Sequence, residues 1–342
     1  MIKLAGYLLF STLAAASGFV VISRRVNKKN ESDAAQEIIN EWEKNHPEPE
    51  GQKDDLDGIR FQVILENNRN ENNALIEADH GLCIYMEVDG KKYLLDTGTG
   101  DLIIKNASML GIDLTDIDAV FISHAHYDHS GGLSPFLELN QKAPVFIKEE
   151  AIRDKHIGKA FGIIQRDASL DHTLADRYAK RINTIDRFTE INKGVFVIPV
   201  IKQNHPLPET NYNLFKRKSR TGPLEKDDFD HEMLVVIKDK DGLIVYSGCC
   251  HSGVLNVIDA VKESFPDDGI KAIIGGFHLM NMVFMKMGES RQKVESLGIR
   301  LAESEVGKFY TGHCTGMEAY KVLESALGKI IDYLFTGKKF RI

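Results

Sequence analysis

The chain of 342 residues is 43% hydrophobic and 27% charged, enough apolar content to bury one large core or two smaller ones. A net charge of −7 with no long basic block in its body excludes a nucleic-acid footprint of clustered Lys and Arg, and favours a small or anionic ligand at a local site. Cys83, Cys249, Cys250 and Cys314 are too few for a disulfide framework and match no zinc-finger spacing, so they read as free thiols of a reducing compartment.

Residues 4–22, LAGYLLFSTLAAASGFVVI, carry no charge and as a helix would span about 28 Å, close to the hydrocarbon thickness of a bilayer. Arg24, Arg25, Lys28 and Lys29 follow, outnumbering Lys3 and the amino terminus, so the positive-inside rule keeps the remainder in the cytoplasm. Residues 1–29 therefore predict a single-span membrane anchor bearing a cytoplasmic catalytic body. The rivals are a signal peptide cleaved near Ala14, Ala15 and Ala16, with a secreted body, and a buried core helix. Residues 30–58 are polar and acidic, end in HPEPEGQKDDLDG and predict a linker, with a short helix at 37–44 that Trp42 can dock.

From residue 59 the pattern turns regular. IRFQVIL, GLCIYMEV and KKYLLD are strand-like, with Asp89-Gly90 a hairpin turn between the last two. A helix is expected at 102–110, a buried strand in AVFIS at 119–123, a helix at 132–139 and a strand in PVFI. Residues 149–190 are polar and predict a mostly helical insertion. GVFVIPVI, EMLVVIKD and GLIVYSG resume the sheet, with Asp241-Gly242 as a turn. Helices at 254–265, 289–305 and 317–327 then alternate with strands IKAIIGG and KFYTG. No repeat of solenoid length is visible. Strands first antiparallel, later alternating with helices, predict an α/β fold over 59–342: two packed sheets covered by helices on both faces, an αββα sandwich.

FISHAHYDHSGG, at 121–132, places His124, His126, Asp128 and His129 at the end of a buried strand. Imidazoles two residues apart on extended chain point the same way and can share one ion. Asp128 and His129, past the bend, can serve a second, in a mixed donor set that zinc or iron accepts. Three of twelve histidines within six positions argue against a solvated loop.

His-x-His-x-Asp-His after a strand resembles the signature of the metallo-β-lactamase superfamily, and LLDTG at 94–98 resembles its early Asp-containing turn. SGCCHSGVLN at 247–256, IGGFHL at 274–279 and TGHCTG at 311–316 resemble the branch that holds the archaeal methanopterin-precursor synthases and many metal-dependent hydrolases. The resemblance covers 59–342 and implies the four-layer αββα sandwich. It implies that Asp96 orients the ligand loop, that His313 is the last histidine ligand, and that Cys249 stands where many members carry a bridging aspartate. A thiolate there can ligate zinc, but two hard ions prefer a carboxylate bridge, so the second ion is weakened, absent or different. The branch carries a His-Pro pair after the strand equivalent to PVFI; this chain has Lys148 and Glu149, a departure that counts against group transfer.

His251, at the same sheet edge, completes the expected shell, with His205 as its competitor. His278 is expected to bind substrate or metal, or to be structural. His156, His172 and His231 fit surface or capping roles, although His231 beside Glu232 can reach the cleft, and His80 is ranked low. The expected metal ligands are thus His124, His126, Asp128, His129, His251, His313 and Cys249, holding one or two zinc ions, with iron or manganese as alternatives.

A bound ion yields a nucleophile from water at neutral pH. Asp128 is expected to hold or deprotonate that water, and His278 or an amide near Ser252-Gly253 to stabilise developing charge. The helix start at 251–254 offers an anion site, and the basic run 216–220 either a phosphate clamp or a solvated loop. The expected activity is hydrolysis of a small ester, lactone or phosphoester. A transferase similar to the methanopterin-precursor synthase is the alternative, and an iron-dependent redox or metal-binding protein on the same fold the third. The expected partners are a small-molecule substrate and, through residues 1–29, a membrane, with no nucleic acid; the sequence carries no signal of oligomeric state.

Overall fold

Alternation along the strands sorts side chains between two faces, and the packing follows it. In strand Leu234–Asp239, Val235 and Ile237 face one core while Leu234 and Val236 face another. In Gly242–Tyr246, Ile244 and Tyr246 take the first face, Leu243 and Val245 the second. The computed structural model describes residues 58–69 and 75–342, and Gly58–Ile342 form a compact unit.

One seven-stranded sheet runs, edge to edge, through Lys339–Arg341, Arg60–Leu65, Cys83–Val88, Lys91–Leu95, Ala119–Phe121, Val145–Ile147 and Ile182–Thr184. The other runs through Ile331–Tyr333, Phe309–Thr311, Ile270–Ile274, Gly242–Tyr246, Leu234–Asp239, Val195–Ile198 and Thr189–Asn192. A shared core of Phe61, Met86, Tyr93 and Phe121 against Val197, Val235, Tyr246 and Ile274 joins them. Helices Leu102–Met109 and Leu133–Leu139 cover the outer face of the first sheet. Val254–Ser264, Arg291–Ala302 and Met317–Leu327 cover the second. This is the expected four-layer αββα sandwich. The Asp89-Gly90 turn holds, with both residues in the left-handed region that a tight hairpin requires.

Two expectations change. Residues 149–190 contain only two five-residue helices, Glu149–Arg153 and Thr173–Arg177; between them lies a hairpin of Lys155–Ala160 and Ile164–Asp167. Its turn puts Phe161 and Gly162 at positive φ, and its first strand, Lys155–Ala160, pairs with Leu214–Arg217 more than fifty positions away. That partner, invisible to local periodicity, selects strand over helix. The membrane-anchored placement is also corrected. Among the described residues no helix is long and apolar enough to cross a membrane, and the longest, Arg291–Ala302, has 12 residues, about 18 Å at 1.5 Å per residue. Residues 1–57, on which the anchor and linker expectations fell, lie outside the described residues.

Candidate metal centre

Parallel strands end together at one edge of the sandwich, and each delivers a polar residue there. Lys91–Leu95 delivers Asp96; Ala119–Phe121 delivers the loop to His129; Gly242–Tyr246 leads to Cys249 and His251; Ile270–Ile274 to His278; Phe309–Thr311 to His313. Asp96, Cys250, His278 and His313 all hold positive φ, near 50–60°. Such non-glycine conformations cost of order 1 kcal/mol each and cluster where side chains must be aimed. Gly248 makes the approach possible: a Cβ on it would lie 2.1 Å from Ser123 Oγ.

Buried Asp96 accepts from the Ser123 amide at 2.7 Å and from Ser123 Oγ, Tyr246 OH and His129 Nδ1, each at 2.6 Å. Because His129 donates through Nδ1, its Nε2 is the nitrogen turned toward the other ligands. Three more histidines are set the same way. His313 Nδ1 donates to Asn67 Oδ1 at 2.8 Å, and His251 Nδ1 to Asn211 Oδ1 at 3.0 Å. Asn211 Nδ2 donates to the His251 carbonyl, which fixes the orientation of that amide. Ser123 spends its proton on Asp96 and so accepts from His124 Nδ1 at 2.9 Å. Among the described residues, the Nε2 atoms of His124, His126 and His251 are buried without a hydrogen-bond partner. Buried nitrogens are rarely left so, and a cation satisfies them.

Two donor groups result. His124, Cys249 and His251 offer atoms within 4.8 Å of one another, with the His126 ring 4.8 Å from His124 and 4.7 Å from His251 by centroid. In the second, His129 Nε2 is 3.0 Å from Cys249 Sγ and 3.1 Å from His313 Nε2, and Asp128 Oδ2 is 3.2 Å from His313 Nε2. Tetrahedral zinc ligands stand roughly 3.3 Å apart, so these residues fit a divalent ion. Cys249 lies between the two groups, and burial pushes its thiol up until a cation is there to hold the thiolate.

Burial disfavours a proton on His129, but the Asp96 and Asp128 carboxylates outweigh it and push its pKa up to about 9. Burial likewise opposes charge on Asp128; the His129 charge and the close His313 and His80 imidazoles outweigh it and hold the carboxyl well below the usual range. Burial lowers His124, His126 and His251, keeping them neutral as ligands must be.

The structure brings His124, His126, Asp128, His129, Cys249, His251, His278 and His313 together. His278 lies against His251, with ring centroids 4.0 Å apart and the planes tilted by 50°. His205 lies elsewhere, bound to Asp259 at 3.1 Å and to Arg300 at 3.0 Å. The amides of His251 and Ser252 do not form an anion site, because Glu232 accepts from both, at 2.6 and 2.8 Å, and the Gly253 amide bonds the Cys250 carbonyl. Burial raises Glu232 to about 7 despite those donors. Nor does 216–220 clamp phosphate: Lys216 is buried against Asp228 and Asp230, and Lys218 pairs with Glu225.

His80, His156 and His231 are closer to the site than their sequence context suggested. His80 Nε2 is 3.1 Å from Asp128 Oδ2. His156 and His231 are fully buried behind His126 and held by Asp227, at 2.9 and 3.4 Å. The Ala125 amide donates to His231 Nδ1 at 3.1 Å, fixing the loop between His124 and His126. Cys314, Asn67 and Asn211 also went unread; of these only Cys314, adjoining His313, carried a local signal. The DDFDHE run at 227–232 was the available hint for Asp227 and His231.

The sequence model of the metallo-beta-lactamase superfamily matches residues 76–249, just over half of the chain. The 7,8-dihydropterin-6-methyl-4-(beta-D-ribofuranosyl)-aminobenzene-5'-phosphate synthase of Methanocaldococcus jannaschii is 27% identical over 300 residues, covering 83% of this chain and 96% of the synthase. The solved structure of Tm1679, described as a metal-dependent hydrolase of the beta-lactamase superfamily, is 29% identical, with a TM-score of 0.68 over 83% of this chain and 99% of that one. The metallo-beta-lactamase fold protein YhfI of Bacillus subtilis shares the fold at 11% identity, with a TM-score of 0.50 over 83% of this chain and 100% of its own.

Proposed function

This chain belongs to the metallo-beta-lactamase superfamily, and from that premise we propose that it is a metal-dependent hydrolase of a small ester, lactone or phosphoester. The observation that carries the reading is the set of imidazoles whose Nδ1 atoms are spent on Asp96, Ser123, Asn67 and Asn211, turning Nε2 into one pocket. His124, His126 and His251 would hold one ion; Asp128, His129 and His313 a second, with Cys249 between them. The mixed nitrogen, oxygen and sulfur donors favour zinc. A bound divalent ion supplies Lewis acidity and makes water nucleophilic at neutral pH.

The chain's own groups do the rest. Asp128, ionised at the base of the cavity, orients the attacking water and takes its proton. His278 lines the same cavity, and its buried Nδ1 has no partner, so it is placed to meet charge developing on the substrate. His80, bonded to Asp128, passes the proton outward.

Near full-length similarity to the Methanocaldococcus jannaschii synthase supports a second reading, group transfer. One panel tests both. Zinc-loaded protein is offered phosphodiesters, lactones and thioesters, then a dihydropterin pyrophosphate with an aminobenzene acceptor. Hydrolysis of the first group is expected. Condensation alone favours transfer, and a single bound iron with neither activity favours redox chemistry.

A further inference from the structure

The cavity at the histidine cluster has a volume of about 430 Å³, and its mouth is built by two hairpin tips that the chemistry above does not use. One tip, residues 161–164, joins Lys155–Ala160 to Ile164–Asp167; the other, residues 282–285, joins Met280–Asn281 to Lys286–Met287. These tips carry six of the fourteen large apolar side chains that are exposed among the described residues: Phe161, Ile163, Ile164, Met282, Phe284 and Met285. Phe161 is 66% exposed and Ile163 81%. Scattered exposed apolar residues need no explanation, but six in eight positions on two adjoining tips form a patch; Phe161, Met282 and Met285 of it line the cavity, and such patches mark ligand sites. The Phe161 and Phe284 rings meet edge to face, centroids 6.0 Å apart, so the tips join across the opening.

The same wall carries a cation. Lys155 pairs with Asp167 at 2.9 Å and Lys159 sits over the Phe215 ring at 4.0 Å, but Arg166 makes no ion pair among the described residues. Its guanidinium lines the cavity and is free to take a carboxylate or phosphate in its two-pronged geometry.

We propose that the substrate is an amphiphilic anion: an ester with an apolar acyl or aryl arm held between the Phe161 and Met285 tips, and an anionic group held by Arg166. This rests on the hydrolase reading above and specifies its substrate. Water adds across the ester: its oxygen bonds the acyl or phosphoryl centre, the bond to the leaving oxygen breaks, and that oxygen takes the proton released from water.

The test uses the full chain in two formats. Zinc-loaded protein hydrolyses 4-nitrophenyl monoesters of dicarboxylic acids of four to ten carbons, against uncharged 4-nitrophenyl esters of equal length. Metal-free protein binds alkylphosphonates of one to eight carbons in a calorimeter, which reads the mouth without the metal. Both kcat/KM and affinity are expected to rise about two- to fourfold per methylene. The acidic esters should exceed the neutral ones about tenfold. Phe161→Ala with Phe284→Ala flattens the chain-length slope, chiefly through KM, and Arg166→Gln brings the acidic-to-neutral ratio near one. Turnover or binding indifferent to chain length, or a slope that survives the double variant, overturns the inference while leaving the hydrolase reading intact. Chain-length-dependent phosphonate binding without zinc-dependent hydrolysis of any ester overturns the hydrolase reading and, with it, this ester assignment.

Discussion

Asp96→Asn probes the way the fold aims its ligands. The carboxylate accepts four hydrogen bonds of 2.6–2.7 Å, from the Ser123 amide and hydroxyl, Tyr246 and His129, with no exposure to solvent. An amide of the same size keeps one oxygen and turns a donor toward groups that are themselves donors. At least one buried donor is then unpaired, which costs about 1–3 kcal/mol of stability. His129 loses the partner that holds its Nδ1 proton and turns Nε2 to the site, and Ser123 loses the bond that leaves it accepting from His124. Both donor groups are disturbed by one substitution, and loss of such orienting partners lowers metal affinity by about 10–100-fold. Competition with a chromophoric chelator reads the affinity, and thermal melting of the chelated protein reads the stability. Zinc affinity within twofold of the parent in Asp96→Asn would refute the argument that Asp96 sets both ligand groups.

Three further outcomes are expected. His156→Phe removes the imidazole whose Nδ1 is held by Asp227 at 2.9 Å and whose ring centroid lies 6.1 Å from that of His126; buried Asp227 loses a donor, so the melting temperature falls, and metal affinity falls about tenfold with a shift of the cobalt absorption bands. Gly248→Ala, at φ +61° with its Cβ 2.1 Å from Ser123 Oγ, destabilises by about 2 kcal/mol or more in denaturant titration. His129, with a pKa of about 9 before an ion binds, carries a proton that zinc must displace. Zinc affinity therefore rises with pH from 6.5 toward 9, and a chelator titration that is flat over that range contradicts the protonated state.

The sandwich was legible because Leu234–Asp239 and Gly242–Tyr246 are short apolar runs, rich in β-branched residues, that an Asp-Gly turn joins. His124 to His129 were legible because a ligand loop is local in sequence. The hairpin Lys155–Ala160 to Ile164–Asp167 was not, since its pairing partner is remote and its residues are polar enough to suit a helix. His156 and Asp227 were unreadable for the same reason: they meet behind His126 only once Lys155–Ala160 pairs with Leu214–Arg217. The helix start at Ser252 showed the opposite failure, because an amide pair suited to an anion in sequence already accommodates Glu232 in the fold.

The central claim is that the histidine cluster holds the ion on which hydrolysis depends. Chelator-stripped protein is titrated with zinc while bound metal and ester or phosphodiester hydrolysis are followed together, in the parent and in His126→Ala. Turnover rising in step with bound zinc, and absent in a folded His126→Ala protein, is the predicted result. Turnover that persists without metal, or is unchanged in His126→Ala, would contradict it.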